Sequence, residues 1–374
     1  MIYKSFQGEQ LSALGLGAMR LPTLPDGTID EAAAADMVAV AMREGVNYYD
    51  TAWGYHNGGS EPVMGKLLSA YPRESFKLAS KFPGYDLSNM DKVTEIFEKQ
   101  LERCRVSYFD FYMFHNVCEM NIDDYLDPKF GIYDYLIAQK RSGRIRHLGF
   151  STHGTLETMR RFLTAYGKDM EFCQIQLNYV DWDFQEAKRK IELLNEYGIP
   201  VWVMEPLRGG KLANLGEAYQ RALANIRKDE TVPAMAFRFL QAIPEVVVTL
   251  SGMSNMTQLC ENIATFKENK PLNGMEFDAI LAMAADMTKN VIPCTSCRYC
   301  TEYCPQGLNI PRLIGLYNEH AFTGGGFIAP MALSRVDADK RPTACLGCGA
   351  CEAVCPQNIK ISEVMADFVR RLKA

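Results

Sequence analysis

The sequence predicts an α/β protein: a closed (β/α)8 TIM barrel over residues 1–288, then a small cysteine-rich domain over residues 289–374. Three observations carry this prediction. Apolar, β-rich segments alternate with amphipathic helical ones along most of the chain, as in a parallel sheet with helical crossovers. Eight such strands within about 260 residues is the count of a closed barrel. Eight of the twelve cysteines crowd into the stretch from Cys294 onward, a composition shift that marks a boundary near 285–293.

In order, the strands are expected at Ala13–Gly17, Tyr48–Thr51, Phe76–Lys81, Phe109–His115, His147–Ser151, Cys173–Asn178, Val201–Glu205 and Val246–Leu250. Helical stretches between them include Ile29–Arg43, Lys92–Arg103 and Gln185–Glu196. A short pair, Ile2–Phe6 with Leu11–Leu14, is placed to plug the barrel's bottom. A Rossmann sheet is the competing α/β fold. It needs a glycine-rich turn that opens a helix, whereas Gly15-Leu16-Gly17 runs on into Met19 and Arg20.

Hydrophobic residues make up 48% of the 374 and charged residues 23%, the composition of a soluble globular protein. A net charge of −5 leaves no basic footprint for nucleic acid. No apolar run approaches the roughly 20 residues that span a bilayer. The start, MIYKSFQGEQ, lacks the pattern of a signal peptide, so a cytoplasmic protein with no membrane partner is expected. In a reducing compartment, twelve cysteines are not expected to form disulfides.

The clustered cysteines form two runs: Cys294, Cys297, Cys300 and Cys304 before Pro305, and Cys345, Cys348, Cys351 and Cys355 before Pro356. Both read C-x2-C-x2-C-x3-C-P, the spacing of bacterial ferredoxins with two [4Fe-4S] clusters. The short steps let three thiolates wrap one cubane, and the fourth cysteine reaches the partner cluster. Cys294, Cys297, Cys300 and Cys355 are therefore assigned to one cluster, and Cys345, Cys348, Cys351 and Cys304 to the other. Zinc is the alternative, but zinc sites usually pair two C-x2-C steps across a longer spacer. The segment between the runs, with Gly324-Gly325-Gly326, reads as a loop or a partner contact.

Barrel chemistry sits at the C-terminal ends of strands. Those ends carry Asp50 and Tyr55, Lys81, and His115. Taken singly, each has a plain reading: a helix cap, loop packing, a solvated strand end, a structural histidine. Together they form a carbonyl-reduction set. A lysine ammonium stabilises a tyrosine phenolate and lowers its pKa, an aspartate holds the lysine charged, and a histidine positions the substrate oxygen. Arg20, Trp53 and Phe82, with Tyr85, Cys118 and Trp182, are expected around the mouth, where aromatics suit a small organic substrate. Arg20 would meet a substrate carboxylate or phosphate, neutralise Glu205, or solvate the rim. Cys118 reads equally as inert packing.

The segments Tyr48–Tyr55, Ala79-Ser80-Lys81, Phe114-His115-Asn116, Ile145–Ser151, Gln174–Tyr179, Glu205-Pro206-Leu207 and Glu261-Asn262 resemble those of the aldo/keto reductases. The whole chain resembles the branch with a C-terminal ferredoxin-type domain. The resemblance implies that Tyr55 is the general acid/base, supported by Asp50, Lys81 and His115. It implies that Ser151 and Gln174 hold a nicotinamide carboxamide and that Pro206, Leu207, Arg208, Gly209 and Gly210 lie along the pyrophosphate. Ser254 falls among the nucleotide contacts, and Glu261 and Asn262 meet the adenine. The chain departs from the pattern at Met204, where a tyrosine usually stacks on the nicotinamide, and at Thr152, where asparagine is common. Gly252 and Gln258 replace the lysine and arginine that hold the NADP 2′-phosphate, so NAD and NADP stay open.

Nicotinamide passes two electrons as hydride and each cluster passes one, and a flavin is the usual intermediary. Three functions follow. The first is a carbonyl reductase or alcohol dehydrogenase acting on a small organic substrate with NAD(P)H, its clusters exchanging electrons with a partner protein. The second is a ferredoxin- or flavin-linked reductase fed by the clusters. The third is a non-catalytic electron carrier with a barrel scaffold.

Overall fold

The computed structural model describes all residues except 290, 293, 295–297, 327, 356 and 374. The chain divides into two compact units, Met1–Ala284 and Ala285–Ala374, and the division falls inside the helix Gly274–Thr288.

The first unit opens with an antiparallel hairpin, β1 (Tyr3–Phe6) and β2 (Glu9–Ser12). Eight parallel strands follow: β3 (Leu14–Gly17), β4 (Tyr48–Asp50), β5 (Lys77–Phe82), β6 (Phe109–Val117), β7 (Ile145–Thr152), β8 (Cys173–Gln176), β9 (Val201–Met204) and β10 (Val246–Ser251). They close in the order β10-β3-β4-β5-β6-β7-β8-β9. Each expected strand overlaps an observed one, with ends moved by one or two residues. The expected helices appear as Glu31–Arg43, Val93–Cys104 and Ala187–Asn195. The first begins at Asp30, whose carboxylate accepts from the Ala33 amide at 3.0 Å and satisfies an otherwise unpaired first-turn donor.

The hairpin is the expected plug. Its Phe6 reaches the barrel core and meets Trp202 edge-on at 5.0 Å and Phe111 at 5.9 Å. Tyr48, Phe111, Phe172 and Trp202 fill this end with fully buried rings. Burying a phenylalanine side chain contributes about 1.5–3 kcal/mol, so this cluster closes the barrel firmly below the strand ends.

The second unit has helices Tyr299–Glu302, Ile310–Thr323, Ile328–Ser334 and Ile361–Arg371, and no strand among its described residues. Its core joins Leu313, Ile314, Met365 and Phe368 to the buried Cys300 and Cys351. Asn318 ties down the segment before the first cysteine run, exchanging hydrogen bonds of 2.8 Å with both the N–H and the carbonyl of Ile292.

Candidate active site

Side chains alternate across a strand, and this parity places the residues of β5. Lys81 points into the barrel. Ser80 and Phe82 point outward, Ser80 Oγ donating to Glu61 at 2.7 Å and Phe82 packing on Tyr125. Lys81 is completely buried, and its Nζ donates to Asp50 Oδ1 at 2.7 Å, to the Thr51 carbonyl at 2.8 Å and to Tyr55 Oη at 3.4 Å. The same Nζ stands 4.9 Å from the centre of the Tyr55 ring. The His115 ring lies edge-on to Tyr55 with centroids 6.2 Å apart. The structure thus brings together the four residues expected at three strand ends.

Their electrostatics refine the expectation. Burial opposes the Lys81 charge, but Asp50 and Tyr55 prevail and hold its pKa above the ordinary lysine value. Burial also raises the Asp50 carboxyl, against the pull of Lys81. The short 2.7 Å contact between them is that of a charge-assisted pair. For Tyr55 the expected lowering by Lys81 is present but outweighed. Tyr55 is half-buried, and burial carries its pKa above the ordinary tyrosine value. Tyr55 is thus a protonated acid at neutral pH. Burial, then Lys81 and His153, push His115 well below its ordinary value, so the imidazole is neutral. Its Nδ1 is buried with no hydrogen-bond partner among the described residues.

Ser151, near the end of β7, and Gln174, in β8, are paired neighbours. Ser151 Oγ accepts from the Asn116 amide at 2.8 Å, and Gln174 Nε2 lies 3.7 Å from Met204 Sδ. Gln174 Oε1 is buried without a partner among the described residues, an acceptor that fits the amide donor of a carboxamide. The loop 205–210 has positive φ at Glu205, Arg208, Gly209 and Gly210, a backbone form suited to cradling anions. The Arg208 side chain is a correction to the expected pyrophosphate contact. It is buried, with Nε 3.1 Å from both Asp181 oxygens, and Asp181 also accepts from Asn178 and Gln176. At the last strand, Gln258 Oε1 accepts from the Ser254 amide at 2.8 Å, Asn262 donates to Ser251 Oγ at 3.1 Å, and Glu261 is exposed.

Two of the three expected substrate contacts, Phe82 and Trp53, lie elsewhere. Phe82 is fully buried on the helix side of β5. Trp53 stacks under the Arg103 guanidinium at 3.9 Å, against the helix Val93–Cys104 rather than the mouth. Arg20 runs along Gly252, where an added Cβ would meet its side chain at 3.1 Å, and its Nη2 would be 3.5 Å from a Cβ on Gly209. Trp182 packs on Phe239 and Phe277, and Cys118 is buried. Asp181 was missed, because its role is visible only through Arg208, which the fold brings back to it from a later loop. His56 was also missed. Its Nε2 accepts from the Leu21 amide at 3.1 Å, linking the Tyr55 loop to the Arg20 turn.

Residues 13–285 match the aldo/keto reductase family model. The chain belongs to the aldo/keto reductase family. Residues 293–359 match a 4Fe-4S dicluster domain, so this is an aldo/keto reductase-type oxidoreductase with an iron–sulfur domain. It is 25% identical over 306 residues to the NADH-specific methylglyoxal reductase of Escherichia coli, covering 69% of this chain and 91% of the relative. It is 26% identical over 316 residues to L-galactose dehydrogenase of Arabidopsis thaliana, covering 75% and 94%. The holo form of an aldo-keto reductase from Bacillus halodurans superposes with a TM-score of 0.62 at 24% identity, covering 76% of this chain and 96% of that one. One from Klebsiella pneumoniae in complex with NADPH gives 0.59 at 19%, covering 77% and 95%.

In the second unit of this aldo/keto reductase, Cys304 joins Cys345, Cys348 and Cys351 in lining one hollow. These are the four thiols assigned to one cluster, drawn from both runs. Among the described residues no three His, Cys, Asp or Glu side chains gather closely enough for a single metal ion. Cys294, Cys300 and Cys355 pack on the same core, and Cys297 lies outside the described residues. Among the described residues no helix is long and apolar enough to cross a membrane.

Proposed function

We propose that the barrel reduces the carbonyl of a small organic substrate, or oxidises the corresponding alcohol, with a nicotinamide cofactor. The observation that carries this reading is Lys81 Nζ, fully buried, between Asp50 Oδ1 at 2.7 Å and Tyr55 Oη at 3.4 Å. Bound across Ser151, Gln174 and the 205–210 loop, a nicotinamide would supply the hydride. Tyr55 Oη gives its proton to the carbonyl oxygen, and Lys81 stabilises the phenolate that remains. The neutral His115 offers a hydrogen bond that orients the oxygen without adding charge. Arg20, over Gly252 and near Gly209, brings a cation to the loops read as the pyrophosphate cradle.

Gly252 and Gln258 favour NADH, because neither offers a cation to a 2′-phosphate. The E. coli relative, named as NADH-specific, supports the same choice. The eight cysteines are read as ligands of two [4Fe-4S] clusters exchanging single electrons with a partner protein. The test is NADH- or NADPH-dependent turnover of an aldehyde and ketone panel by cluster-loaded protein. Tyr55→Phe should lower kcat by roughly a hundredfold or more while leaving nicotinamide affinity in place. Failure of either nicotinamide to bind at millimolar concentration refutes the reading. A flavin-linked reductase is the second reading, favoured by the withdrawal of Arg208 to Asp181. Flavin absorbance remaining after cluster removal would select it.

A further inference from the structure

The aromatic ring that the structure sets beside the tetrad is Tyr85. It meets the His115 ring edge-on at 5.1 Å and 90°. Its hydroxyl stands 2.3 Å from where a Cβ on Gly54 would be, so residue 54 must be glycine for the phenol to lie there. Gly54 immediately precedes Tyr55. The half-buried phenol therefore reaches from its own loop to the Tyr55 loop and passes His115 on the way.

The loop that carries Tyr85 is held from several sides. Tyr125 Oη lies 2.9 Å from the His115 carbonyl and 3.4 Å from that of Phe82, a donor shared between them. Gly84 leaves room for this hydroxyl, which would be 2.3 Å from a Cβ at that position. Asn121 Nδ2 donates to the Gly84 carbonyl at 3.0 Å and Asn89 Nδ2 to that of Pro83 at 3.1 Å. The Gly84 and Asp86 amides close tight turns onto Phe82 and Pro83. A ring on a loop tied this way is preorganised and does not swing aside cheaply. Burial, then the Tyr55 phenol, push the Tyr85 hydroxyl up to about 12, so it stays protonated and does not compete with Tyr55.

We propose that Tyr85 is a specificity-determining residue, a fixed bar across the tetrad that admits carbonyls with a small substituent on its side and excludes ring-bearing ketones. The proposal rests on the carbonyl-reductase reading. A rigid wall that rejects a few extra carbons discriminates by roughly ten- to two-hundredfold in kcat/KM.

The experiment compares kcat/KM for propanal and acetophenone, with NADH and with NADPH, in cluster-loaded full-length wild type, Tyr85→Phe and Tyr85→Ala. The acetophenone-to-propanal ratio should rise roughly tenfold or more in Tyr85→Ala. It should hold in Tyr85→Phe, which keeps the ring. The ratio is the readout because truncation that merely loosens the loop lowers both rates together. Gly54→Ala, which must displace the Tyr85 hydroxyl without removing the ring, should move the ratio in the same direction. Should Tyr85→Ala turn over too slowly to measure, acetophenone inhibition of propanal reduction by Gly54→Ala replaces it, and unchanged inhibition overturns the proposal. An active wild type with an unmoved ratio in Tyr85→Ala overturns the Tyr85 proposal alone. A wild type that reduces no carbonyl with either nicotinamide overturns the reductase reading and the Tyr85 proposal together.

Discussion

Replacing Asp50 with asparagine removes a charge while keeping shape, and it isolates what the buried pair contributes. Lys81 and Asp50 side chains are 0% and 3% exposed at 2.7 Å. At an effective dielectric near 20, the gross attraction at that distance is about 6 kcal/mol. Desolvation offsets much of it, but only while both partners are present. Asp50→Asn leaves the Lys81 ammonium buried and uncompensated, which costs about 3–5 kcal/mol. Lys81→Met should cost less, because Asp50 can take up a proton, its carboxyl already being raised by burial. In the double variant no charge remains, so its loss should fall short of the sum of the singles by about 2–3 kcal/mol. Urea unfolding followed by tryptophan fluorescence measures this on the right unit, since Trp53, Trp182 and Trp202 all lie within Met1–Ala284. Asp50 and Tyr55 hold the Lys81 pKa above its ordinary value despite burial. That contribution is complete below the ordinary lysine pKa of about 10.4, and it is lost as pH rises through the raised folded value. The coupling should therefore be flat from about pH 7 to 9. Losses that add to within about 0.5 kcal/mol would refute the buried ion pair.

Three further outcomes are expected. Gln258→Arg should shift the kcat/KM preference toward NADPH by roughly tenfold or more, since a charged donor to phosphate contributes about 1.5–3 kcal/mol. Gly252→Lys should do less on its own, because its Cβ must first displace Arg20. Cys304→Ser and Cys345→Ser should each impair the same cluster, giving one pattern of iron loss and one altered electron paramagnetic resonance signal. Matching defects in Cys304→Ser and Cys294→Ser would instead assign ligands run by run. His56→Ala should lower kcat by a factor of roughly 2–10 through loss of the acceptor for the Leu21 amide, a bond worth about 0.5–1.5 kcal/mol, and His56→Gln should restore part of it. An undiminished kcat in His56→Ala would show that the Tyr55 loop holds its place without this link.

The strand ends were legible because a barrel displays its chemistry at fixed points along a simple alternation. A charged residue closing an apolar run, as Lys81 closes its strand, has few reasons to be there unless it faces a partner across the barrel. The mouth residues were misjudged where only sequence neighbourhood was used. Phe82 follows Lys81, and the period of two sends adjacent residues to opposite faces. That parity was available in the sequence and would have removed Phe82 from the substrate set. Trp53 stands near Tyr55 in the chain, but its place follows from Arg103, which a helix carries back from the far end of the crossover. No local pattern encodes that pairing.

Arg20 and Arg208 show a harder limit. Arg20 was read by its charge, toward a substrate anion, Glu205 or the rim, and Arg208 by resemblance, within a loop along the pyrophosphate. Charge alone cannot say whether an arginine faces solvent, a ligand or a buried acid. Arg208 is settled by Asp181, 27 residues earlier, and their side chains are 2% and 0% exposed. An arginine so placed cannot turn outward without breaking its buried ion pair with Asp181, a loss of about 3–5 kcal/mol that a single phosphate contact of about 1.5–3 kcal/mol does not offset. On the proposed function, the part of that loop that meets the pyrophosphate is its backbone, with Glu205, Arg208, Gly209 and Gly210 at positive φ. Arg20 reaches the same region from the first strand's loop, over Gly252, and is exposed enough to move. Of the two arginines, the exposed one is therefore free to answer a ligand's charge, and the buried one fixes the loop on which that ligand would rest.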